Sequence, residues 1–224
     1  MSKAFRPIVA CIGLWIAIVC VPHTANAGGD IASYFSAYYR QEIVGRAYRG
    51  PLDFLRDAAT AHARARQVLM QSKSRALTLD PGNGYLRIDD SLGTDQVLTM
   101  AIYRRADGGR LVVVGSSNCA DACAFSVEVF TASAGRLRPV ARDAVLPRVM
   151  PRQFIKPGHP VPKALASIVP RVNYEPARRG TALKLTPWYG YEVEEQMDRA
   201  TRSAIRSLVL SWDRDRGRFA LPRE

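Results

Sequence analysis

Between residues 73 and 85 the hydrophobic period of this chain changes, and that change restricts the fold more than any other feature. Upstream, Ile31, Tyr34, Phe35, Tyr38, Tyr39 and Ile43 recur at three- and four-residue steps, which predicts a helix over Ile31–Arg46 with an aromatic stripe. Gly45 and Gly50 bracket a turn, and Pro51 stands where a second helix begins. Leu52, Leu55, Ala59, His62, Val68 and Leu69 carry that helix to Ser72. Asp53 and Asp57 precede Arg64 and Arg66, the order that suits a helix dipole.

Downstream, the period falls to two. Tyr85–Asp89, Val97–Arg104, Leu111–Gly115 and Phe125–Phe130 alternate as strands do. The connections Asp107-Gly108-Gly109 and Ser133-Ala134-Gly135 have hairpin chemistry. Pro147, Pro151, Pro157, Pro160 and Pro162 then mark an irregular stretch, with room for one short helix over Val161–Val169. Strand patterns return at Thr181–Thr186, Leu208–Trp212 and Arg218–Leu221. Three hairpins echo one another: Tyr103, Phe130 and Trp212 each precede a turn ending in Gly-Arg and an apolar residue. Their unequal spacing excludes a strict repeat array.

These patterns predict an α+β fold: an N-terminal helical hairpin packed on one curved antiparallel β-sheet meander. A partial propeller-like β-meander is the alternative. Residues 28–224 form a single domain with a helical part (28–73), a β-meander (74–146), a Pro-rich irregular connection (147–180) and C-terminal strands with a hairpin (181–224).

The first 27 residues carry a different message. Lys3 and Arg6 form a basic start, Ile8–Val21 is apolar and uncharged, Pro22 breaks the run, and Ala25-Asn26-Ala27 ends it. That is the pattern of a cleaved secretory signal. The apolar core, about 14 residues, falls short of the roughly 20 that a spanning helix needs. The expected mature chain therefore begins at Gly28, is periplasmic or secreted, and has no transmembrane segment.

Export sets the redox context for cysteine. Cys11 and Cys20 lie in the signal, which leaves Cys119 and Cys123. A single close pair in an exported chain predicts a disulfide rather than a metal site, and no metal ligand set is expected. A bond there would pin the tip of a hairpin. The loop is so short that chain entropy assigns it only about 2 kcal/mol.

Charge enters where partners are concerned. The chain has 32 basic and 20 acidic residues, a formal net charge of +12. Without Lys3 and Arg6 the mature chain carries +10 (12 − 2). Such a balance favours anionic envelope components or acidic proteins, with salt-sensitive strength. Nucleic acid is not the expected partner, because the compartment is wrong. Arg214, Arg216 and Arg218 alternate around the last turn beside Trp212 and Phe219, a pattern able to hold anionic or planar ligands. His159, in Pro157-Gly158-His159-Pro160, is the other candidate binding residue, or a general base.

Other motifs have simpler explanations. His62 falls on the apolar helix face. Asp80-Pro81-Gly82-Asn83-Gly84 lacks the alternating ligands of a calcium loop and reads as a turn between the second helix and the first strand. Asp89 and Asp90 are strand neighbours that point to opposite faces. Glu195/Arg199 and Asp198/Arg202 have the spacing of ion pairs on a helix over Glu192–Arg206. No GxSxG elbow occurs. Together these features favour a non-catalytic envelope protein that binds another macromolecule, as an inhibitor or immunity-type factor, with no cofactor. An envelope hydrolase is the first alternative, and a binder of anionic lipid or lipopolysaccharide the second.

Overall fold

Strict alternation gives a strand one apolar face, but the central strands here are apolar on both faces, and each face needs a cover. The computed structural model describes residues 30–38, 41, 75–90, 96–119 and 122–222. Among the described residues, ten strands form two antiparallel sheets. The first is a six-stranded meander in sequence order: β1 (Arg75–Asp80), β2 (Tyr85–Asp90), β3 (Gln96–Arg104), β4 (Arg110–Cys119), β5 (Cys123–Ser133) and β6 (Arg136–Pro139). The second has four strands in the order β10-β9-β8-β7, namely β7 (Arg171–Pro176), β8 (Ala182–Trp188), β9 (Leu208–Asp213) and β10 (Arg218–Ala220).

On β4, Val112 and Val114 face one way and Leu111 and Val113 the other, and all four are buried. The first pair packs under helix α1 (Ile31–Tyr38) with Tyr34, Phe35, Met100 and Phe130. Tyr38 lays its ring edge-on to Phe130 at 5.7 Å and donates its hydroxyl to Glu128 Oε2 at 2.5 Å. The second pair meets the other sheet through Leu183, Leu185, Leu208, Leu210, Trp212 and Phe219, with Val145 of the short helix α2 (Arg142–Val145) in the same cluster. The result is three layers: helix, sheet and sheet.

The two sheets come closest at Gly115 of β4. A Cβ there would lie 2.0 Å from the Tyr174 carbonyl oxygen of β7, so only glycine admits the approach. Beside this pinch, Arg87 joins the sheets. It holds Asp89 through two bonds of 2.9 Å and reaches Glu175 Oε1 at 2.7 Å. A smaller apolar cluster, centred on Ile155, Leu165 and Tyr189, fastens the irregular connection to the segment between β8 and β9.

Several expectations need correcting. The strands divide into two facing sheets rather than one sheet, because sheet one is apolar on both faces. β1 was not among the expected strands, β6 is the second strand of the hairpin expected at Ser133-Ala134-Gly135, and β7 lies inside the expected irregular connection. Asp80–Gly84 turns between β1 and β2, not between a helix and a strand. There Asp80 accepts from Asn83 Nδ2 and Arg178 Nε, each at 3.0 Å, and these bonds hold its carboxyl below the usual range. Over Val161–Val169, a 3₁₀ turn forms at Lys163–Leu165. Apart from Gln41, the rest of the expected helical hairpin beyond Tyr38, with His62, lies outside the described residues, as does the signal. Among the described residues no helix is long and apolar enough to cross a membrane.

Candidate functional site

The β4–β5 ladder runs the full length of β4 and ends on the pair Cys119↔Cys123. These two residues are disulfide-bonded with their Cα atoms 4.0 Å apart, so the tip is closed covalently as the spacing predicts. Around it the two sheets assemble an arginine and three aromatic rings. Arg171 opens β7 directly opposite Trp188 of β8 in the register, and its guanidinium lies 5.7 Å from the Trp188 ring centroid. The same side chain donates Nη1 to the Cys123 carbonyl oxygen at 2.7 Å. Phe125 meets Trp188 edge-on at 6.0 Å, and Tyr191 meets it edge-on at 5.5 Å.

Tyr191 reaches this position because Gly190, at φ 98°, swings helix α3 (Tyr191–Gln196) out of the β8 strand end. Its hydroxyl lies 3.6 Å from Cys123 Sγ, and its side chain remains 43% exposed. Val169, two residues ahead of Arg171, is 79% exposed. An exposed valine and tyrosine therefore flank a stacked cation on a braced hairpin tip. Arginine, tyrosine and tryptophan are the side chains that dominate binding energy at protein interfaces.

The other sequence candidates are placed elsewhere. Arg214, Arg216 and Arg218 are exposed around the β9–β10 turn. Asp213 Oδ1 shapes that turn by accepting from the Asp215 and Arg216 amides. Trp212 is not beside them at the surface. It is 8% exposed, packs against Tyr103 and Phe219, and donates Nε1 to the Arg104 carbonyl oxygen at 2.8 Å. The arginines and Trp212 therefore do not form one surface, because strand alternation turns Trp212 inward.

His159 is exposed on a tight turn of the irregular connection. The described residues lining its cleft include no carboxylate and no hydroxyl. The expected helix over Glu192–Arg206 is broken at Met197 into α3 and α4 (Arg199–Ala204). Asp198 caps α4 by accepting from the Thr201 amide, a bond that lowers its carboxyl pKa, and Arg202 donates to the carbonyls of Met197 and Glu194. Sequence reasoning missed Arg171, Trp188, Tyr191 and Phe125. The signal in the sequence is the aromatic run Trp188-Tyr189-Gly190-Tyr191 directly after a strand pattern.

No known protein family and no curated protein matches the chain. A solved structure does. The chain is similar to a domain of an uncharacterized protein from Porphyromonas gingivalis W83, with 12% identity and a TM-score of 0.55, over 87% of this chain and 98% of that one. At that identity the likeness shows a shared fold alone.

The brace has a measurable consequence. Replacing Cys119 and Cys123 together by Ser is expected to cost at most about 2 kcal/mol, since the closed loop is short. A thermal melt checks this. A drop large enough to unfold the chain at room temperature would show that the tip also holds the two sheets together.

Proposed function

We propose that the protein is an exported, non-catalytic binding protein that docks a protein partner through Tyr191, Trp188, Arg171 and the disulfide tip. The observation that carries this is the double engagement of Arg171, bonded to the Cys123 carbonyl oxygen and stacked over Trp188. That bracing fixes a rotamer-rich side chain before any partner arrives, so little ordering cost remains at association. The leader pattern at residues 1–27 supports export. The +10 net charge of the mature chain (12 − 2) supports steering toward an acidic partner, with an on-rate that falls as salt rises.

Affinity capture from an envelope extract, with the mature protein as bait, tests this reading. Tyr191→Ala and Arg171→Ala are each expected to weaken the captured partner's binding about tenfold or more, as interface anchors do. Arg214→Ser, Arg216→Ser and Arg218→Ser combined should change only the salt dependence. Equal capture by wild type and both anchor variants would remove the proposed surface from consideration.

A further inference from the structure

A second site shares no residue with the disulfide tip. The 3₁₀ turn Pro151–Phe154 and the loop after it lie along the entry to β9, forming a cleft of about 630 Å³. That volume falls within the usual range for small-molecule sites. The cleft is built rather than draped. Phe154 anchors the turn in the inter-sheet core, and Ile155 anchors it in the smaller cluster. Backbone bonds from Lys156 to Ala204 and from Arg206 to Phe154, each 2.8 Å, hold the loop against the chain entering β9. Gln153 Oε1 accepts from the Met150 amide at 2.7 Å, and Arg206 donates Nε to the Gln153 carbonyl oxygen at 2.9 Å.

The described lining combines cationic and apolar side chains. Arg152, Lys156 and Arg206 are its charged side chains, with His159 beside them, and no described lining residue is acidic. Arg152 and Lys156 take part in none of the ion pairs among the described residues. His159 Nδ1 lies 3.4 Å from the Pro157 carbonyl oxygen, and Gly158 at φ 79° makes the turn that brings the ring back over the cleft. Met150, Ile155, Leu208, Leu221 and Pro222 supply the apolar part, with Met150 half exposed. Like-charged side chains that line one cleft repel one another, and an anion among them relieves that repulsion.

We infer that this cleft binds an amphiphilic anion: a phosphate-bearing head between Arg152 and Lys156, with a short apolar chain along Met150 and Leu221. The head could come from a soluble alkyl phosphate or from a membrane phospholipid, and the chemistry of recognition is the same. Calorimetric titration of the mature protein with hexyl phosphate, inorganic phosphate and hexanol tests this. Hexyl phosphate should bind saturably, inorganic phosphate more weakly, and hexanol not at all. The double variant Arg152→Ser/Lys156→Ser should weaken hexyl phosphate about tenfold or more, as loss of charge-assisted bonds does, without moving the melting temperature. Co-sedimentation with phosphatidylglycerol vesicles, using phosphatidylcholine as the neutral control, separates the two sources. Pelleting with the anionic vesicles only, lost in the double variant, assigns the membrane source; hexyl phosphate binding without pelleting assigns a soluble ligand. No saturable heat at millimolar hexyl phosphate, or binding that the double variant leaves unchanged, overturns the inference.

Discussion

Gly115→Ala is expected to lower the stability of this protein by about 3 kcal/mol or more. The added methyl would sit 2.0 Å from the Tyr174 carbonyl oxygen, and backbone on a facing strand cannot rotate away as a side chain can. Relief requires β7 to lift from β4, which opens the core around Val113 and Leu185. For a domain of this size the loss corresponds to a melting temperature lower by roughly 6–12 °C. Gly108→Ala is the matched control. Gly108 has φ 82° but nothing within 4 Å of its would-be Cβ, so the cost there is backbone strain alone, about 1 kcal/mol. Similar melts for the two variants would mean that the sheets part more readily than their contact at Gly115 implies.

Trp212→Ala is the second large effect, with an expected loss of about 3–5 kcal/mol. The indole fills the space between Tyr103 and Phe219, and the Arg104 carbonyl oxygen would lose its donor. Trp212→Phe should lose less, about 1–3 kcal/mol, chiefly by leaving that carbonyl unpaired. The neighbouring arginines give the contrast. Arg214, Arg216 and Arg218 changed together to Ser should stay within about 0.5 kcal/mol of wild type, since exposed turn positions bury little. Chemical denaturation of the three variants checks the ordering. A tolerated Trp212→Ala, or a damaging arginine triple, would reverse the assignment of core and surface at this hairpin.

That hairpin also shows what the sequence can and cannot reveal. Alternation and apolar runs located β2, β3, β4, β5, β8, β9 and β10 to within a few residues, although β3, β4 and β5 are apolar on both faces. It underestimated β4 and β5 at their outer ends, where Ser116, Ser117 and Asn118 are polar yet still paired in the ladder. β1 was hidden because Arg75-Ala76-Leu77-Thr78-Leu79-Asp80 follows a helical pattern without a break. β7 was hidden because it begins after Pro170 and ends on Pro176, residues that read as loop. The disulfide was legible because five consecutive residues determine it. The arginine–aromatic surface was not, because Arg171, Trp188, Tyr191 and Phe125 are brought together only by the register of β7 on β8 and the approach of the second sheet. The Arg214–Trp212 grouping failed for the opposite reason: neighbours in sequence were assigned to one surface although alternate positions in a strand face opposite ways.

The lengths of the outermost strands bear on how this protein behaves when crowded. An open sheet margin is a template for another chain. β10 has three residues and β6 four, so each offers a template too brief to hold a stranger. β6 also places Arg136 and Arg138 on its margin and closes on Pro139, while β7 is bounded by Pro170 and Pro176. Part of the arginine excess is thereby a device against self-association: it keeps neighbouring copies from zipping together margin to margin. Neutralising Arg136, Arg138 and Arg218 would leave the fold in place and remove that protection, and the loss would show first as turbidity at high concentration.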